Sequence, residues 1–126
     1  MTDNKAMETP AGPVGDPDEP PRVRQLSAPD LKAMMDAGTP LLLVDVRTET
    51  ERAIAKIDGS RLLDQEYYND LMTLDRNTPI VFQCHHGFRS QSAAEYCLRA
   101  GFRNLYNLAG GIEAWSLLVD PSVARY

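Results

Sequence analysis

With 126 residues the chain is long enough for one domain and one core, not two. Its net charge of −5 is uneven, because residues 1–21 hold five acids and one base. The remaining 12 Lys and Arg against 13 Asp and Glu form no basic cluster, which excludes nucleic acid as the expected partner. The opening residues lack a secretory apolar stretch and the longest aliphatic run, Leu41 to Val44, is far too short to span a bilayer, so no membrane partner is expected. Two cysteines, Cys84 and Cys97, are too few for a disulfide framework and fit a reducing, cytoplasmic setting where a thiol stays free.

Residues 1–21 carry five of the nine prolines and no aromatic residue, leucine or isoleucine, so a disordered tail is expected there and one folded domain over 22–126. A short strand is expected near Val23 to Leu26. Ser27 then stands where an N-cap belongs, Pro29 falls in the first helical turn, and Leu31, Met34 and Met35 recur at helical spacing until Gly38. The run Leu41 to Asp45 reads as a strand buried on both faces, and Thr48 to Ala55 as a short helix. Arg61 to Leu63 is a weak strand, followed by a helical stretch from Asp64 to about Leu74 with Tyr67, Leu71 and Leu74 on one face. Ile80 to Gln83 is the next strand, and Ser90 to Ala100 a helix whose Ala93, Ala94, Cys97, Leu98 and Gly101 trace one stripe. A strand at Asn104 to Leu108, the pair Gly110-Gly111 and a helix through Ile112, Trp115 and Leu118 complete the order.

Strands that alternate with helices predict an α/β fold with a parallel sheet and helices on both faces. Ligands of such sheets bind beyond the carboxyl ends of the strands. The segments Asp45 to Arg47, Cys84 to Arg89 and Ala109 to Gly111 all follow strands and converge on that edge.

A cysteine directly after a strand, in a loop that enters a helix, meets unpaired N–H groups and the positive end of the helix dipole, so Cys84 is expected as a thiolate. If residues 85–90 curl around the sulfur, their N–H groups form an anion nest. Gly87 then supplies a backbone angle that side chains resist, Arg89 adds a permanent charge, and Ser90 is placed to cap the helix. Such a cradle suits a thiolate, a persulfide or a bound oxyanion.

The loop Cys84-His85-His86-Gly87-Phe88-Arg89-Ser90 resembles the active-site loop of rhodanese domains. Asp45-Val46-Arg47 with Glu51 looks like the first signature of that family, and Leu108-Ala-Gly-Gly-Ile-Glu-Ala-Trp115 like the second. The resemblance covers about residues 22–126 and implies a single-domain, rhodanese-like fold with a mostly parallel five-stranded sheet. It further implies a sulfurtransferase in which Cys84 attacks the outer sulfur of thiosulfate or a persulfide donor, then passes it to a thiol or cyanide acceptor. No cofactor is implied. By the same resemblance, His85, His86, Gly87, Phe88, Arg89 and Ser90 bind the persulfide or donor, with Arg47 beside Arg89, and Asp45 organises the loop. The ending Val119 to Tyr126 resembles tails of rhodanese domains in sulfur relay, so a relay protein is a further partner. One stretch departs: Ala55-Lys-Ile-Asp-Gly-Ser60 stands where the family has Gly-His-Ile-Pro-Gly-Ala, and Lys56 in place of histidine is expected to affect donor preference.

Two other chemistries compete. A cysteine phosphatase or arsenate reductase shares the thiolate cradle but needs arginine six positions after the cysteine, where this chain has Ser90. A persulfide carrier or regulatory module in a sulfur relay is the other: a carrier would keep the cysteine without useful turnover of free thiosulfate, and the loss of the cysteine that would favour a purely regulatory module is absent. A metal at His85 and His86 is not expected, since adjacent side chains should diverge and the nest repels cations. Cys97 belongs on the core stripe, as does Trp115 with at least one of Tyr67 and Tyr68. Arg47 and Glu51 have the spacing of a helical ion pair.

Overall fold

The computed structural model describes residues 19–126. The expected tail therefore lies outside the described residues, apart from the exposed Glu19 to Pro21. Five strands and five helices alternate: β1 Val23–Leu26, α1 Ala28–Asp36, β2 Leu42–Asp45, α2 Glu49–Ile54, β3 Ser60–Leu62, α3 Gln65–Leu71, β4 Ile80–Gln83, α4 Phe88–Arg99, β5 Leu105–Leu108 and α5 Gly111–Leu118. The sheet order is β1-β5-β4-β2-β3 and every pairing is parallel. The central strands β4 and β5 are buried along their whole length, including the polar Gln83 and Asn107.

Register decides which side chain meets which helix. Leu43, Val81 and Tyr106 lie in one cross-strand row and pack with Leu31, Met34, Ile112 and Trp115 of α1 and α5. Val44, Ile80, Phe82 and Leu105 face the other way, against Tyr67, Leu71, Ala94, Cys97 and Phe102 on the side of α3 and α4. Both layers are largely apolar, and each fully buried leucine or phenylalanine in them contributes about 1.5–3 kcal/mol.

The starts of α1, α2 and α3 are set by local side chains. Ser27 accepts from Asp30 N, Asp64 from Tyr67 N, and Thr48 with Glu51 forms a complete capping box at α2. Trp115 and Tyr67 are buried as expected, whereas Leu118 is exposed. The segment after α5 folds back so that Ser116 Oγ donates to Val123 O, which puts Ser116 on the inward face in place of Leu118. In the departing stretch Ser60 bonds Ile57 O while Arg52 bonds Ser60, and Ile57 is buried, so the turn into β3 is held by other means.

Candidate active site

Cys84 follows β4 at the centre of the carboxyl edge and is 1 % exposed. Its Sγ accepts N–H bonds from Gly87 at 3.1 Å and Ser90 at 3.3 Å, and lies 3.2 Å from Ser90 Oγ. The helix begins earlier than Ser90, at Phe88, with Gly87 as N-cap at φ +104° and no side-chain cap. Ser90 is thus no cap. It is the third helical residue, and the N–H that a cap oxygen would take is taken by sulfur. Burial pushes the Cys84 thiol up, but the Ser90 hydroxyl and the N–H groups of Ser90, Gly87 and Arg89 outweigh it and hold the thiol below its ordinary value.

The loop keeps its N–H groups inward because its carbonyls are bound elsewhere. Ile112 N donates to Cys84 O at 2.8 Å and Glu113 N to His85 O at 3.1 Å, so the first turn of α5 grips the loop from behind. This contact explains the glycine pair. Gly111 has φ +62°, and a Cβ there would lie 2.5 Å from Cys84 O and closer still to His85 O. Gly111→Ala is expected to push the loop off its sulfur and lower activity on the order of 10²-fold, the cost of about 1 Å of misplacement. Sulfur uptake assayed beside circular dichroism checks this, and a folded Gly111→Ala protein with normal uptake would refute it.

Asn107 on β5, which carries no local sequence signal, completes the cradle. Its Nδ2 donates to Gly87 O at 3.1 Å and to Gln25 Oε1 at 3.0 Å, and its Oδ1 accepts from the Ser90 hydroxyl at 2.5 Å. Only its cross-strand position beside Phe82 brings it under the loop.

Asp45 is fully buried and accepts from Arg47 N, from two nitrogens of the Arg47 guanidinium and from Arg52 Nη1. Arg47 is almost fully buried, unlike the half-exposed Arg89. Its guanidinium donates to Asp45 Oδ1 and Oδ2, Glu51 O, Ala55 O and the Tyr126 hydroxyl, which uses all five N–H groups and leaves none for a donor. The expected ion pair of Arg47 with Glu51 is also absent, because Arg47 precedes α2 and the helical spacing rule does not apply to it. The Glu51 carboxylate instead meets both Nη atoms of Arg89, at 2.7 and 2.9 Å.

Phe88 is 81 % exposed at the lip of the loop. His85 and His86 do not diverge: their rings stack at 3.8 Å, and Tyr126 stacks on the other side of His85 at 3.8 Å. Burial, with His86 alongside, holds the His85 imidazole below its ordinary value, so it is mostly neutral. Ligand atoms of His85, His86 and Glu113 lie within 4.8 Å of one another, close enough to hold a metal ion. Glu113 is already ion-paired with Arg125 at 2.6 Å, whose charge opposes a cation there. Cys97 is a buried core thiol, raised by burial and remote in character from the cradle. Lys56 lines a groove with Met35, Trp115 and Val123, and no residue of the cysteine loop lines it. Among the described residues no helix is long and apolar enough to cross a membrane.

The family model for the rhodanese-like domain matches residues 27–118. A thiosulfate sulfurtransferase named GlpE from Ectopseudomonas mendocina is 41 % identical over 85 residues, which cover 67 % of this chain and 78 % of that protein. The probable adenylyltransferase/sulfurtransferase MoeZ of Mycobacterium tuberculosis is 34 % identical over 100 residues, 77 % of this chain and 26 % of that longer one. Among solved structures, a rhodanese-like domain protein from Staphylococcus aureus superposes with a TM-score of 0.65 at 27 % identity, covering 82 % of this chain and 99 % of that one.

Proposed function

Because the chain belongs to the rhodanese-like domain family, we propose that Cys84 carries sulfur as a persulfide between a thiosulfate-like donor and a thiophilic acceptor. The protein is a sulfurtransferase of the thiosulfate sulfurtransferase type. The observation that carries the finer reading is the sulfur-centred cradle, in which N–H groups of Gly87 and Ser90 and the Ser90 hydroxyl converge on one buried atom.

In the first step the Cys84 thiolate attacks the outer sulfur of thiosulfate. The sulfur–sulfur bond of the donor breaks, its electron pair leaves with sulfite, and the transferred sulfur remains on Cys84 as a persulfide. In the second step a thiol or cyanide attacks that outer sulfur and Cys84 leaves as thiolate. The Ser90 hydroxyl has one proton and two acceptors, Asn107 Oδ1 at 2.5 Å and Sγ at 3.2 Å. It faces Asn107 while Cys84 is protonated and turns to the sulfur when the thiolate forms. Arg89, at the rim, orients the anionic part of the donor.

A role within a sulfur relay is the second reading. It is favoured by the exposed Phe88 at the lip of the cradle, a contact point for an acceptor protein, and by the likeness to MoeZ. A reducing, cytoplasmic setting suits a free thiolate. The phosphatase reading loses further ground because the Arg89 guanidinium points to Glu51 at the rim and not into the cradle. The decisive experiment incubates the protein with thiosulfate and weighs it intact. One added sulfur atom that cyanide removes as thiocyanate supports the persulfide; unchanged mass at every donor concentration defeats it.

A further inference from the structure

Tyr126 belongs to no helix or strand, yet its side chain is held on several sides. Its ring stacks on His85 at an interplanar angle of 16°, and the Arg47 guanidinium lies 5.8 Å from the ring centroid. Its hydroxyl accepts from Arg47 Nη1 at 3.0 Å and donates to Glu51 Oε2 at 2.8 Å. One hydroxyl therefore joins the buried Asp45–Arg47 pair to the rim pair Glu51–Arg89.

The Glu51 carboxylate is correspondingly well bonded. Its Oε1 accepts from Thr48 N, Thr48 Oγ1 and Arg89 Nη1, and its Oε2 from Arg89 Nη2 and Tyr126. Hydrogen bonds from Arg89 outweigh desolvation, and with those from Tyr126 and Thr48 they hold the carboxyl far below the usual range, so it stays ionised. The residue that meets an anionic donor at the rim is thus already paired with a fixed anion. A donor must displace or share that partner, and the cost rises with the donor's own negative charge.

We propose that Tyr126 is a positioning residue that locks Glu51 onto Arg89, and that this clamp determines which sulfur donors the site accepts by penalising dianions more than monoanions. The proposal rests on Cys84 as the sulfur-accepting thiolate and adds a determinant of donor choice.

Two conservative variants test it. Tyr126→Phe keeps the ring on His85 and removes the hydroxyl; Glu51→Gln keeps a capping-box side chain and removes the charge. KM is measured for thiosulfate, a dianion, and for a monoanionic thiosulfonate, with cyanide as acceptor. Glu51→Gln is expected to lower KM for thiosulfate by about fivefold, the scale of a partly exposed ion pair, and that for thiosulfonate by less. Tyr126→Phe should act in the same direction by about twofold, and the double variant should equal Glu51→Gln alone, because the clamp has the hydroxyl act on the donor through that carboxylate. A purely structural role would lower the melting temperature without altering the ratio of the two KM values, and an unaltered ratio overturns the proposal. So does full additivity in the double variant. Thiosulfate affinity measured by calorimetry in a Cys84→Ser background reads the clamp without turnover. Equal affinity with and without Glu51→Gln there sinks the clamp, whereas absence of sulfur uptake by the unmodified chain sinks the reading of Cys84 instead.

Discussion

Cys84→Ser is expected to take up no sulfur from thiosulfate, while Cys97→Ala loads as the unmodified chain does. Serine would sit in the same ring of donors, but a hydroxyl does not ionise near neutrality, and the cradle can only stabilise an anion that exists. Cys97 is equally buried, yet there burial outweighs the nearby charge of Arg76 and raises the thiol. The contrast between the two thiols is one of hydrogen bonds and not of exposure. It gives the pH profile as well. Because the Cys84 thiol lies below its ordinary value, the rate of loading should reach its plateau at lower pH than for a free cysteine, whose value is about 8.5. Ser90→Ala removes one stabilising donor and should move the rise to higher pH. Intact mass after timed incubation across pH measures both, and uptake by Cys84→Ser would contradict the assignment of the nucleophile.

Asp45→Ala should be the most destabilising single change at the site, by about 3–5 kcal/mol, because it leaves the Arg47 guanidinium buried without its counter-charge. Arg47 is 4 % exposed and cannot turn to water without breaking its bonds to Ala55 O and Tyr126. The same pair gives an acid-side dependence. Burial raises the Asp45 carboxyl, but hydrogen bonds and charge from Arg47, with a further bond from Arg52, bring it net below its ordinary value. A carboxyl lowered in the folded state contributes stability that is present above its unfolded value, roughly 3.9, and lost as pH falls through the folded one. Urea denaturation of the Asp45→Ala protein at neutral pH, and of the unmodified chain from neutral to acid, tests both statements. An unchanged midpoint for Asp45→Ala would show that Arg47 has found water or another anion.

Most of the fold was legible because its signals are local. Ser27, Thr48 and Asp64 each cap a helix within a few residues of themselves, and the apolar text Ile80 to Gln83 needs only its own composition to be read as a central strand. Cys84, Gly87 and the grouping of three loops on one edge were legible for the same reason. The failures share a cause too. Ser90 was a misleading cap because the acceptor of its N–H is the sulfur six residues earlier and not its own oxygen. Arg47 and Glu51 have helical spacing but only Glu51 is in the helix. His85 and His86 stack on each other, and Tyr126, 41 positions along the chain, lies against His85. Asn107 and Tyr126 join the site through sheet order and through the return of the segment after α5, and no spacing announces either.

In most helices the group that terminates the free N–H ladder is a spectator. At α4 it is the Cys84 sulfur, so each round of the proposed chemistry would rewrite the end of the helix. In the proposed persulfide the negative charge would lie one atom outward, away from the sulfur that Ser90 N and Gly87 N now hold. The first turn of α4 would then be tied to a less charged acceptor, while Arg89 in that same turn reaches Glu51 at the rim. Helix and cargo are in this way a single coupled object, and a partner that touches Phe88 or Arg89 touches a segment whose footing differs between the empty and the loaded protein.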